Sequence, residues 1–263
     1  MTSPSLLRLP AVLRLCVVIA CCIWLLLNTT VKAATPGSLV RIAAASDLRD
    51  ALTAISQQFQ QHHPDSQLEL VFGSSGKLQQ QIMHGAPFDL YLAADLSYAN
   101  NLWQQGFALQ APVVLGKGHL VLVTRAGLAA ATLLSDLQSA RFRFIAIAEP
   151  QHAPYGDRAR QSMKNSGLWQ QLAPKIVYGE NVAKTFALVQ SGAADAALVA
   201  LSLLKKPGNK PKFPVIDSSL HQPLQAALLR LKHAQTPQAA QFYHYLQSAQ
   251  AQALLQQYGF SAP

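Results

Sequence analysis

The sequence predicts an α/β fold with two lobes, each a mostly parallel sheet flanked by helices, and a ligand cleft between them. Three observations carry this. Short apolar runs alternate with stretches of helical period between Leu39 and Gln105; a second such set starts at Leu120, after Gly116-Lys117-Gly118; and one more strand and two helices return at the C-terminus. Alternation of this kind builds parallel sheets, because a crossover helix must join strands that run the same way.

Leu39 to Ala45 is rich in Val, Ile and Ala and reads as a strand, and Leu48, Leu52, Ile55 and Phe59 recur at helical spacing through His62. Residues 68–72 form the next strand and 78–83 a short helix. Gly85-Ala86-Pro87 then breaks the chain before a strand over 88–93 and a helix over 96–105, which Gly106 closes. In the second set, strands are expected at 120–124, 144–148, 175–178 and 196–201, with helices at 156–166 and 182–190. A Lys/Pro/Gly loop spans 205–214, followed by a strand at 224–231 and helices at 237–246 and 249–258, the last closed by Gly259. The organisation expected is a leader over 1–33, a first lobe from 36–116 plus 219–263, and a second lobe from 117–218.

The leader carries Arg8 and Arg14, an apolar run from Leu15 to Leu27, and small residues at Ala33 and Ala34. It reads as a secretory signal peptide cleaved near Ala33 or Ala34. A membrane span needs about 20 apolar residues, and this run has 13. Val18-Ile19-Ala20-Cys21 is a weaker match to a lipoprotein cleavage box, because more apolar chain follows Cys21. All three cysteines, Cys16, Cys21 and Cys22, lie in the leader, so the exported chain would have neither disulfide nor cysteine metal site.

The formal charge is +9; Arg8, Arg14 and Lys32 contribute three of these and residues 1–33 hold no acid, leaving +6 for the exported part. Its cations are scattered, with one cluster from Lys205 to Lys212, and no helix-turn-helix or RNA-binding motif is visible. Nucleic acid is therefore not the expected partner. A positive field would still speed the encounter with a small anion.

Small hydroxyl residues follow two successive strands, in Ala44-Ala45-Ser46-Asp47-Leu48 and in Phe72-Gly73-Ser74-Ser75-Gly76-Lys77. A strand entering a helix through Ser and Gly leaves the first N–H groups of that helix unpaired, and the helix dipole favours negative charge there. Ligands in open α/β sheets bind at the carboxyl ends of strands, where Ser46, Ser74 and Ser75 fall. Two such turns facing one ligand make an oxyanion cradle. The same serines could instead be ordinary helix caps, since caps and anion contacts use one geometry.

Other motifs fall short. Lys77 does not complete a phosphate loop, because Val71 holds the first glycine position and Leu78 follows the lysine; it is expected at the surface or cleft rim. Gly73-Ser74-Ser75-Gly76 lacks the G-x-S-x-G spacing of a serine hydrolase, and no Ser-His-Asp order is identifiable. His62 and His63 sit at a helix end before Pro64, His152 reads as a turn residue without a metal-ligand partner, and Tyr91, Trp103 and Trp169 read as packing.

Through these turns and the segments around them, the chain resembles the molybdate-binding periplasmic proteins of bacterial ABC transporters. The matching segments are AAASDL at 43–48, FGSSGKLQQQI at 72–82, GAPFDLYLAAD at 85–95, AEPQHAPYG at 148–156, GENVAKTFALVQSG at 179–192 and YGF at 258–260. The resemblance implies a two-lobed, hinge-closing periplasmic-binding-protein fold of the type II kind, a monomer that captures molybdate or tungstate and presents it to a membrane permease, with no cofactor and no catalysis. It places ligand contacts on Ser46 and Ser75, supported by Ser74, in the first lobe, and on Tyr155 and the backbone of Val182 in the second. These touch the oxygens of the anion and are not ligands of the metal atom. Some members carry a tyrosine in the strand that here reads Ala197 to Ala200; Ala200 takes its place, and Tyr155 stands ready to compensate. Asp47 is an acid beside an expected anion contact, so its carboxylate is expected to turn away and cap the helix with Asp50 nearby, leaving its backbone N–H toward the cleft.

A cleft of hydroxyls and amides suits a fully deprotonated tetrahedral dianion. Hydrogen phosphate would bring an O–H without an acceptor, at about 1–3 kcal/mol. Sulfate passes that filter and must be separated by size, so a sulfate-binding protein is the nearest alternative, with an iron-binding protein of like architecture and a secreted serine hydrolase further away.

Overall fold

Residues 39–209 and 213–263 are described by the structure, a computed structural model. The expected leader lies outside them. Strand β1 (Leu39–Ala45) is buried from Ile42 onward on both faces and pairs in parallel with β2 (Gln67–Gly73) and β3 (Leu90–Ala93). A strand covered on both sides needs an unbroken apolar run, which Ile42-Ala43-Ala44-Ala45 supplies.

A 3₁₀ turn, Ser46–Leu48, leads from β1 into α1 (Arg49–His62). The inner face of α1 buries Ala51, Leu52, Ile55 and Phe59 at the 3.6-residue period. Phe59 meets Phe242 edge-on at 5.0 Å, so Phe59→Ala would cost about 3–5 kcal/mol. Helices α2 (Ser75–Met83) and α3 (Leu96–Gln104) follow β2 and β3. The first turn of α2 begins three residues before the expected Leu78. Serine and glycine are poor helix formers, but here a contact from the other lobe holds the turn: the Gly76 N–H donates to His152 O at 2.8 Å.

Strand β4 (Val113–Gly118) was not expected, because its glycines read as a break. They serve close approach instead. A Cβ at Gly116 would lie 2.8 Å from Ser261 O, and the backbone of Lys117 pairs with Ser261 in both directions. The chain then enters the second lobe: β5 (Leu120–Thr124), β6 (Ile145–Ala148), α4 (Pro154–Asn165), the single turn α5 (Trp169–Leu172), β7 (Ile176–Gly179), α6 (Val182–Gln190) and β8 (Ala196–Ala200). It returns through β9 (Leu224–Arg230) to α7 (Pro237–Tyr245) and α8 (Ala249–Gln257).

The five-stranded sheet has the order β2-β1-β3-β9-β4 and the four-stranded sheet β5-β8-β6-β7. Each has one reversed strand: β9 is antiparallel to β3 and β4, and β5 is antiparallel to β8. The result is the two-lobed periplasmic-binding-protein fold, with both sheets mostly parallel. Two passages join the lobes, one at His119 between β4 and β5, the other between β8 and β9.

Candidate functional site

Both sheets point the carboxyl ends of their parallel strands at one small pocket. From the first lobe come Ala45, Ser46 and Asp47 after β1, Gly73, Ser74 and Ser75 after β2, and Ala94 after β3; from the second come Ala153, Pro154 and Tyr155 after β6, and Asn181 and Val182 after β7. The six residues expected from the sequence, Ser46, Asp47, Ser74, Ser75, Tyr155 and Val182, all line it. The cavity volume is about 10 Å³, room for about one water-sized sphere. Drug-sized ligands need about 300 Å³ or more, so the pocket as it stands is too small for them. No Lys, Arg or His is among its twelve lining residues.

The serines are not caps. Ser46 opens the 3₁₀ turn without capping it, and its Oγ receives the Ala183 N–H of the opposite lobe at 3.4 Å. Ser75 is the first residue of α2, and its Oγ accepts the Ala94 N–H at 3.0 Å. A hydroxyl that already accepts from an amide keeps its own proton free to donate. Both serines are thereby biased to be donors toward the pocket. The backbone N–H groups of Ser75 and Val182 head their helices and have no partner within them. Asn181 caps α6, its Oδ1 accepting the Lys184 N–H at 3.0 Å, which fixes the orientation of that helix start.

Ser74 takes another role. It occupies the cap position of α2, yet its hydroxyl shares a 2.8 Å hydrogen bond with His152 Nδ1 across the cleft. Together with the Gly76 N–H on His152 O, this ties the mouth of the first lobe to the turn before α4. Burial and the neighbouring Lys77 hold the His152 imidazole below its ordinary range, so it is neutral near pH 7. The turn role expected for His152 is thus an interlobe one. Lys77 is at the surface, as expected, and its Nζ pairs with Glu180 Oε1 of the second lobe at 2.8 Å.

Tyr155 is 2% exposed, and its hydroxyl lacks a hydrogen-bond partner among the described residues. Burial first, then the adjacent Asp47, pushes its acidity well above the ordinary range, so it stays protonated and can only be a donor to an anion.

Asp47 departs from expectation. Neither the 3₁₀ turn nor α1 receives a side-chain cap, and Asp50 pairs with Lys206 of the second lobe instead. Asp47 is 2% exposed, lines the pocket, and has no hydrogen-bond partner on either carboxylate oxygen among the described residues. Burial raises its pKa from 3.8 to about 7, against smaller opposing effects from the Tyr155 hydroxyl and the N–H groups of Asp47 and Leu48, none of which reaches hydrogen-bonding geometry. Local sequence suggested a cap; tertiary burial left the carboxyl inside the site.

Sequence reading also missed Gly118, where a Cβ would fall 2.1 Å from the Tyr155 hydroxyl, and the buried pair of Arg158 with Asp95 that joins α4 to the start of α3. The signal for Asp95 was present in its position just after a strand and before a helix, where it caps through the Ser97 N–H at 2.8 Å.

A pocket of helix starts and hydroxyls between two α/β lobes is the architecture of a solute-binding protein. The chain belongs to the bacterial extracellular solute-binding protein family, which matches residues 40–261. It is 30% identical over 84% of its length to a putative ABC transporter substrate-binding lipoprotein of Bacillus subtilis, covering 85% of that protein. It is also 30% identical to the molybdate-binding protein ModA of Rhodobacter capsulatus, over 72% of this chain and 75% of that one. Among solved structures, the periplasmic molybdate-binding protein of Azotobacter vinelandii superposes with a TM-score of 0.80 at 27% identity, covering 85% of this chain and 99% of the other. Among the described residues no helix is long and apolar enough to cross a membrane.

Proposed function

We propose that this chain captures molybdate, and tungstate with it, in the pocket between its lobes and presents it to an ABC permease. The observation that carries the reading is the convergence of Ser46, Ser75, Tyr155 and the start of α6 on one pocket whose wall, among the described residues, contains no Lys, Arg or His. These donors lack full positive charge and share their hydrogens among several oxygens, the pattern that suits a tetrahedral dianion. Ser46 and Ser75 donate through hydroxyls, Tyr155 through its phenol, and Ser75 and Val182 through backbone N–H groups; Ser74 supports closure.

Each lobe supplies about half the donors, so only the closed form satisfies the ligand, and closure is the signal a permease can read. The lobes are 36–116 with 219–263, and 117–218. The protein works as an exported monomer of the periplasm once the leader is cleaved near Ala33 or Ala34, and it releases its ligand chemically unchanged.

Thermal unfolding with molybdate, tungstate, sulfate and phosphate in parallel tests the reading. Ligand at about 100 times its dissociation constant adds about 2.7 kcal/mol of stability, which moves the transition visibly. Shifts with molybdate and tungstate are expected. A strong shift with sulfate and none with these two would reassign the ligand.

A further inference from the structure

Asp47 has no place in a cradle built only of donors. It is an acid in the wall of a pocket read as binding an anion, wholly buried, with both oxygens unpartnered beside a Tyr155 hydroxyl that is also unpartnered. A carboxylate there would face a dianion across a desolvated space, where like charges repel strongly. Among the described residues, its surroundings offer no cation to offset this. From α4, the group facing it is Tyr155. From α1, Arg49 is exposed and lies over the Phe72 ring at 4.3 Å, while Asp50 is taken by Lys206; from α6, Lys184 is exposed; and the turn Leu201–Leu203 brings Ser202, whose hydroxyl donates to Asp47 O at 2.7 Å.

We infer that Asp47 is the proton-carrying contact of this pocket: the dianion binds only when the carboxyl is neutral, so each capture at alkaline pH takes one proton from solvent. This rests on the oxyanion reading above and adds to it a residue that sets both specificity and pH response. The balance is simple. The carboxylate gains a proton from water, no covalent bond in the anion changes, and the resulting O–H becomes one more neutral donor toward an anion oxygen. Release in a more alkaline medium would return the proton.

Burial has already moved the carboxyl to the edge of neutrality in the absence of ligand, so the response falls in an accessible range. Above about pH 7, the molybdate dissociation constant should rise about tenfold per pH unit, or roughly a hundredfold by about pH 9, and stay level below. Asp47→Asn keeps the shape, cannot ionise, and should bind with a flat profile and more tightly than the parent at about pH 9.

Calorimetric titration of the mature protein with molybdate, in buffers of different ionisation heat at about pH 8.5, counts the protons directly and needs no variant. About one proton per anion is expected for the parent and about none for Asp47→Asn. Tight molybdate binding with no proton uptake and a flat profile would overturn the role of Asp47 and leave the oxyanion reading standing. Phosphate bound in place of molybdate, with binding lost in Asp47→Asn, would mean that an ionised Asp47 accepts the ligand's own O–H and would overturn both. Failure of the parent to bind molybdate or tungstate at any pH would also overturn both.

Discussion

The hydroxyl of Tyr155 rests against Gly118, so closely that a single added Cβ would lie 2.1 Å from it. Gly118 ends β4, the strand through which the chain leaves the first lobe, and Tyr155 opens α4 in the second. The position of a hydroxyl from a pocket-lining residue is therefore set by a backbone segment next to the crossover.

Gly118→Ala should displace that ring and weaken molybdate binding by at least tenfold, while leaving the β4–β9 pairing intact. Calorimetry of the variant beside its unfolding transition separates the two effects. An unchanged affinity would show that the Tyr155 hydroxyl does not contribute to capture.

Ser46→Ala and Ser75→Ala each remove a hydroxyl donor. A hydrogen bond to a charged group contributes about 1.5–3 kcal/mol, so each variant should bind about ten- to a hundredfold more weakly. Ser75→Ala should also lower stability by about 1–3 kcal/mol, since the buried Ala94 N–H loses its acceptor, whereas Ser46→Ala gives up only a long 3.4 Å contact. Full affinity in both variants would place the site elsewhere.

The sequence made much of this arrangement readable, and where it failed the reason is distance along the chain. Strands such as Leu39–Ala45 and helices such as Val182–Gln190 declare themselves through local periodicity, and the hydroxyl residues after β1 and β2 mark the cradle. β4 stayed hidden because its glycines are explained by Ser261 and Tyr155, atoms far off in sequence. The reversal of β9 likewise follows from pairing with β3 across more than a hundred residues. Asp47 misled because a carboxyl at a helix start has a good local use, and only the closing of the second lobe over it removes water from around it.

Lys77 and Glu180 bridge the cleft rim at 2.8 Å with both side chains about half exposed. Exposed pairs are worth about 0–1 kcal/mol, so Lys77→Ala should weaken molybdate binding by no more than about fivefold. Its larger effect should be on the association rate at low salt, where the rim charge helps draw in an anion, and stopped-flow at two ionic strengths would detect it. A loss of affinity comparable to that of Ser75→Ala would make Lys77 a direct ligand contact.

Burial of Asp47 has a cost that depends on pH even without ligand. Its carboxyl titrates near 3.8 when the chain is unfolded and at about 7 when folded, so the folded state holds the proton more tightly. Stability is then greatest below about pH 4 as far as this group is concerned, falls as pH rises toward about 7, and levels off above. The full penalty is on the order of 4 kcal/mol as an upper limit. Asp47→Asn should therefore stabilise the ligand-free protein at about pH 8, with a much smaller gain at about pH 5, measured by urea unfolding at both values. A variant no more stable than the parent at about pH 8 would mean that the carboxylate finds compensation in the folded protein.

Arg158 and Asp95 form the buried ion pair between the lobes, each less than a tenth exposed. Arg158 also donates to Asp157 at 2.7 Å and, through Nε, to Gln222 O at 3.0 Å in the segment leading into β9, so one guanidinium joins α4, the start of α3 and the return passage. Removing one partner of such a pair leaves a buried charge uncompensated, which costs about 3–5 kcal/mol. Asp95→Ala should fall toward the lower end of this range, because Arg158 cannot lose its proton but keeps Asp157 as a partner, while the cap of α3 goes with the carboxylate. Arg158→Met, which replaces charge with apolar volume, should cost less in stability than Arg158→Ala, yet both should loosen closure and weaken molybdate binding. Small-angle scattering with and without molybdate would show whether the lobes still draw together. Unaltered compaction in Arg158→Met would confine this pair to stability and leave closure to the other contacts across the cleft, those of Ser74 and Gly76 with His152 and of Lys77 with Glu180 among them.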